Sequence, residues 1–356
     1  MKSFQANCHP ILIGSLPISD HHEATRLMFN YSSDIPLWVQ LPVYREEGMI
    51  EQFLPGMPGL IKIDNKVFIN TTDETYDMAL VQFYEDYMSV TEKNTPLEQS
   101  RFALQQEHAK GFFVFLEELS QLNIKPIAVK GQITGPLTMA TATHDQEGRA
   151  IFFNAQLKDV VIKLVALKAA YQVQQLSKFD TPVIIFFDEP AIASFGSTAF
   201  IGMSVDDINQ ALSEVFSTVH SMGAISGIHV CANADWSLVL NSGTRIVSFD
   251  AYSFFDRFIL YAEDIRRFIS NNGILAWGIV PTLSIADLEK ENADSLTQNL
   301  LDKISLLANL GINRNQILQQ SLISPSCGTG SLPLVLALKA LELTKEISNN
   351  LIALCK

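Results

Sequence analysis

Charge is scarce in this chain of 356 residues: 18% are charged and 47% hydrophobic. That balance excludes an intrinsically disordered chain, which combines low hydrophobicity with high net charge. Basic residues are the scarcer sign, with 25 Lys and Arg against 38 Asp and Glu. No basic cluster stands out, so nucleic acid is excluded as a principal partner and the acidic excess reads as solubility. No uninterrupted apolar run reaches about 18 residues, so no membrane-spanning helix is expected. The opening MKSFQANCHPILIGSLP has too short an apolar run for a secretory signal. The cysteines are Cys8, Cys231, Cys327 and Cys355, too widely scattered for a disulfide framework. A cytoplasmic location is therefore expected, with thiols free for metal binding or catalysis. A glycine-rich dinucleotide fingerprint is also missing.

What the chain has is alternation. Near-continuous apolar runs at 9–15, 36–42, 126–132, 182–190, 225–231, 245–251, 274–280 and 321–327 read as parallel strands buried on both faces. Segments of helical period fall at 75–93, 100–119, 150–178, 204–221, 260–271, 284–310 and 331–355. Ser204, followed by Asp206 and Asp207, places a cap and an acidic first turn at the start of one of them. The order predicts an α/β chain folded as one domain over 1–356, a (β/α)8 TIM barrel rather than an open doubly wound sheet. The long connection at about 43–73 is expected as a binding loop, and the polar connection 140–150 as a mobile one.

Active sites of such barrels lie at the C-terminal strand ends, where reactive residues gather here. His229 and Cys231 are two apart on a strand, so both side chains point to one face. With Cys327 and Asp250 at two further strand ends, they compose a tetrahedral zinc set. The competing readings are cysteines as small buried hydrophobes and Asp250 as a helix N-cap. Asp188 and Glu189 are adjacent acids on opposite faces; one suits a substrate amine, the other a loop. Ser15 suits a substrate carboxylate or a plain turn. His21 and His22 read as solvated or capping residues before a second metal pair. Glu46 and Glu47 read as surface charge unless their loop folds over the mouth. Trp236 and Trp277 read as core before pocket wall, and Cys8 and Cys355 as structural.

The stretches IGSLP (13–17), TGPLTM (134–139), FDEPA (187–191), HVCANAD (229–235), SFDAY (248–252) and SPSCGTG (324–330) together resemble the catalytic barrel of cobalamin-independent methionine synthase. That family lies within the uroporphyrinogen decarboxylase-like superfamily. The resemblance implies zinc on His229, Cys231 and Cys327. The family's glutamate ligand is replaced here by Asp250, one methylene shorter. It also implies that Ser15 and Asp188 contact the amino-acid part of homocysteine, with a loop glutamate at Glu46 or Glu47; Glu189, beside Asp188, is a further candidate substrate contact. The implied reaction moves a methyl group from a methylcorrinoid such as methylcobalamin, or from methyltetrahydrofolate, to homocysteine, giving methionine. A corrinoid protein is an implied partner. The chain lacks the extra N-terminal barrel of the folate-using enzymes and so also looks like short forms and corrinoid-dependent methyltransferases of other small thiols. A uroporphyrinogen-decarboxylase-like enzyme is the alternative, although that branch's arginine-rich N-terminal motif is absent. A non-catalytic zinc barrel that binds a corrinoid protein is another.

Overall fold

The computed structural model describes residues 4–64, 66–196 and 202–355. Strands β1 (Leu60–Ile63) and β2 (Lys66–Ile69) form an antiparallel hairpin. The strands β3 (Val129–Thr134), β4 (Val183–Asp188), β5 (Ile225–Val230), β6 (Ile246–Phe249), β7 (Ile274–Val280) and β8 (Ser321–Pro325) form one parallel sheet in chain order. Most are apolar along almost their whole length because both faces are covered; β3 is equally buried but carries Lys130, Gln132 and Thr134 on one face. Val183, Ile185 and Phe187 of β4 join the large core beneath the helices. The alternate residues Ile184 and Phe186 join a smaller core on the concave side, with Ile246, Ala276 and Leu322. The sheet curls around that second core.

The closed eight-stranded barrel expected from the sequence is corrected: the sheet has six strands. The runs expected at 9–15 and 36–42 are extended segments that bridge the two sheet edges at single points. Pro10 pairs with Ile323 of β8, Ser15 with Gln40, and Leu37 with Lys130 of β3, all parallel. Two features stop these bridges from growing into ladders. Pro10 and Pro36 have no N–H to donate, and Gly14 takes φ +130°, outside the extended region. Side chains replace the missing rungs. Lys130 Nζ donates to Ile13 O (3.0 Å) and Gln132 Nε2 to Trp38 O (2.8 Å). Trp38 Nε1 donates to Gln172 Oε1 (3.0 Å), and Gln172 Nε2 returns to Gln132 O (2.9 Å).

Gln172 belongs to the helix Ala155–Leu176, which starts where the Asn154 side chain accepts from Gln156 N and Leu157 N. Its run without Gly or Pro keeps it unbroken. The helix Val205–Ser221 opens with a capping box between Ser204 and Asp207. The run 284–310 divides into Ile285–Lys290 and Ala293–Asn309, because Asn292 caps a new start. The expected helix at 100–119 begins only at Lys110. The connection 43–73 is structured: it holds short 3-10 turns at Arg45–Glu47 and Glu51–Phe53 and the hairpin β1–β2. Asp64, at φ +51°, begins the hairpin's turn, a chemistry the sequence reading passed over. Among the described residues, no helix is long and apolar enough to cross a membrane.

The helix Lys110–Ser120 presses on the 36–42 segment at Gly111, where a Cβ would overlap the Val39 carbonyl oxygen. Gly111→Ala should therefore push that segment away from its few bonds. We expect a loss of about 1–3 kcal/mol, read as a lower midpoint in urea with an unchanged slope.

Candidate metal centre

Asp188, His229 and Ser248 are register partners across β4, β5 and β6. Adjacent parallel strands therefore present their side chains in one row on the concave side. Below them Phe186 occupies the interior, and Gly227 leaves room for its ring, since a Cβ there would overlap it. The same inward row is thus apolar at its base and polar at its C-terminal end.

His229 Nδ1 lies 2.9 Å from Ser248 Oγ. Its Nε2 is buried and has no partner. Cys231 follows β5 directly, and Cys327 lies two residues beyond β8. One donor atom from each of His229, Cys231 and Cys327 lies within 4.8 Å of the others. A hydrogen bond from Cys327, helped by His229, pulls the Cys231 thiol down to about 4. The same bond, with burial, pushes Cys327 up. Two sulfurs and an imidazole nitrogen thus face one another. This soft, electron-rich set fits a thiophilic divalent metal.

The supports of Cys327 were not visible in the sequence. Cys327 N donates to Thr282 Oγ1 (2.9 Å), and Thr282 Oγ1 donates to Cys327 O (3.1 Å). Gly278 lets the ends of β6 and β8 close in, because a Cβ there would meet Phe249 O and Ser326 Cα. Ser248 could have been found: it lies two residues before Asp250 on an inward face. Thr282 lies in a loop, and nothing in its neighbourhood marked it.

The other expected site residues divide. Asp250 lies outside the three-residue group. Its Oδ1 accepts from Ser253 N (2.8 Å), capping the helix Ala251–Phe258, and its Oδ2 is buried without a partner. Asp188 is buried with Oδ1 unpartnered. Burial raises its pKa, opposed by nearby His229 and Lys130. Burial pulls Lys130 down to about 7, with Asp188 opposing. Glu189 is engaged elsewhere: its carboxylate accepts from Leu137 N, Thr138 N and Thr138 Oγ1 at 2.9, 2.8 and 2.6 Å. Burial still pushes it up to about 7. It anchors the start of the helix Pro136–Ala142.

Glu47 is buried and Glu46 half-buried. Glu47 accepts from Leu41 N (2.9 Å), and its other oxygen lies 2.6 Å from His21 Nε2. His21 is therefore buried, against expectation, and stacks on Tyr44. Asp20 caps the helix His21–Tyr31, and His22 lies outward near Glu118. Ser15 Oγ accepts from Gly330 N (3.1 Å). Trp236 and Trp277 are fully buried around Phe249, as core.

The three donors line a cavity of about 600 Å³, together with Ser15, Glu47 and Asp188. A cavity of about 730 Å³ at the opposite strand ends, beside Arg245 and His220, holds no such donor set.

No protein-family model matches the chain, and no curated protein matches it significantly. Among solved structures, it is similar to a methyltransferase from Methanosarcina mazei with a TM-score of 0.54. The identity is 13%, over 91% of this chain and 84% of that one. A 7,8-dihydropteroate synthase from Vibrio fischeri ES114 aligns at 12% identity over 82% of this chain and 98% of that one, with a TM-score of 0.24. The first likeness shows a shared fold; the second carries no argument.

Ser248 orients the imidazole and fixes which nitrogen stays bare. Ser248→Ala should lower affinity for a thiophilic divalent metal by about 10–100-fold, measured by competition with a chromophoric chelator. Unchanged affinity would remove Ser248 from the site.

Proposed function

We propose that this protein is a zinc-dependent S-methyltransferase that acts on a small thiol, with homocysteine as acceptor and methionine as product. The observation that carries the proposal is the cluster of His229, Cys231 and Cys327 inside the cavity, with Nε2 of His229 bare. Zinc bound there would supply a Lewis acid that holds a substrate thiol as thiolate at neutral pH. The chain's own residues account for the rest. Cys231 and Cys327 bring two sulfurs, so the site stays electron-rich. Asp188, buried and unpartnered at Oδ1, suits the ammonium of an amino-acid thiol. Ser15 Oγ, on the cavity wall, suits its carboxylate, and Glu47 is a second acid on that wall. Asp250 keeps one buried oxygen without a partner, which supports it as a further, loosely held ligand. Burial of the thiol and the methyl donor in one cavity would hold them at attack distance.

The methyl donor is a methylcorrinoid, free or carried on a corrinoid protein, or methyltetrahydrofolate. The likeness to a methyltransferase supports methyl transfer in general. A decarboxylase of acidic porphyrins is not favoured, since the described residues lining the cavity include Glu47 and Asp188 but no Arg or Lys.

Homocysteine binding to the metal-loaded protein should release about one proton, read by calorimetry in buffers of different ionisation heat. Cys327→Ser should lose both the metal and methyl transfer from methylcobalamin or methyltetrahydrofolate. A variant that keeps zinc and activity would overturn the proposal. Asp188→Asn should raise KM for homocysteine by about 10–100-fold, the loss of a charge-assisted hydrogen bond. It should leave KM unchanged for an analogous thiol lacking the amino group.

A further inference from the structure

Cys8 and Cys355 lie 347 positions apart in sequence, yet their sulfurs are 3.3 Å apart. Cys8 is fully buried and Cys355 half-buried, so one thiol of the pair is accessible. Both point at one acceptor, with Leu318 O at 3.3 Å from Cys8 Sγ and 3.8 Å from Cys355 Sγ. The pair sits beside the seam between the first segment and β8. Cys8 N donates to Ser321 O at the start of β8 (2.7 Å), and Cys8 O accepts from Ser348 Oγ in the helix Leu334–Ile352 (2.7 Å). Two residues on, Pro10 makes the single bridge to β8. Cys8 is also held at φ +60°, a left-handed conformation uncommon outside glycine, which fixes the direction of its side chain.

The geometry points to Cys8 and Cys355 as an oxidisable dithiol, which exchange with a small-molecule disulfide such as oxidised glutathione converts into a staple between the first segment and the chain just beyond the helix Leu334–Ile352. In the first step the Cys355 thiolate attacks one sulfur of the reagent, forms a mixed disulfide and expels one thiolate. In the second the Cys8 sulfur attacks Cys355 Sγ, the mixed disulfide breaks, and the second thiolate leaves. The two protein protons end on the two released thiols. Two protein thiols are oxidised and one small disulfide is reduced. The hydrogen bond from Cys8, with His9 nearby, also pulls Cys355 toward the thiolate form. Cys231 and Cys327 are a second close pair, but a bound metal would occupy their sulfurs.

The test treats the full chain, with its metal retained, with oxidised glutathione, followed by non-reducing peptide mass spectrometry and thermal unfolding. A Cys8–Cys355 crosslinked peptide is expected, with loss of two hydrogens and unchanged metal content. Tm should rise by about 3–5 °C, reversed by dithiothreitol. Cys355→Ser should show neither the crosslink nor the rise. A stable glutathione adduct on Cys355 without the crosslink would overturn the inference. So would a crosslink that leaves Tm unchanged. This readout does not involve methyl transfer, so it stands or falls apart from the proposed activity.

Discussion

The Gln132 side chain reaches from β3 to the Trp38 carbonyl, where a strand ladder would otherwise run. Its own carbonyl is held by Gln172 from the helix behind, and Trp38 returns a bond to Gln172. The result is a closed circuit of buried donors and acceptors joining sheet, helix and extended segment. In a low-dielectric interior such a circuit is strong when complete and damaging when broken. Without it, the segment carrying Gln40 and leading to Glu47 would be held to the sheet only by the Leu37–Lys130 bridge and apolar contact.

Lys130 extends the same network toward the site. Its ammonium is fully buried, bonded to Ile13 O, and lies over the Phe186 ring at 4.7 Å. Ile13 lies two residues before Ser15, and Asp188 is close enough for Lys130 to favour its charged form. One cation therefore contributes both to holding the first segment and to the field around the cavity. The architecture and the donor cluster share parts, and neither can be altered in isolation.

Much of this was legible in sequence. Runs such as PVIIFFDEP and ILAWGIV could only be strands buried on both faces, and β4 and β7 lie there. The spacing of His229 and Cys231 placed both near one strand end, and barrel order brought Cys327 beside them. What escaped was set by groups distant in sequence or by single backbone angles. HPILIGS has the composition of a strand, but Pro10 and the φ of Gly14 leave it with isolated bridges. His21 read as solvated because its partner, Glu47, arrives from a loop 26 residues away. Glu189 read as a substrate contact because its three donors belong to another element. Of Asp250's two early readings, one oxygen makes the helix cap, while the other is bare.

The three metal-type donors differ in how they are mounted. His229 stands within a strand hydrogen-bonded on both sides, with its ring steadied by Ser248. Cys231 and Cys327 stand just beyond their strands, on chain that has left the ladder. An ion held by this trio would meet two arms steadied by hydroxyl groups, His229 through Ser248 and Cys327 through Thr282. Any small adjustment of the donors to an ion would then fall first on Cys231, which carries no such hydroxyl brace among the described residues.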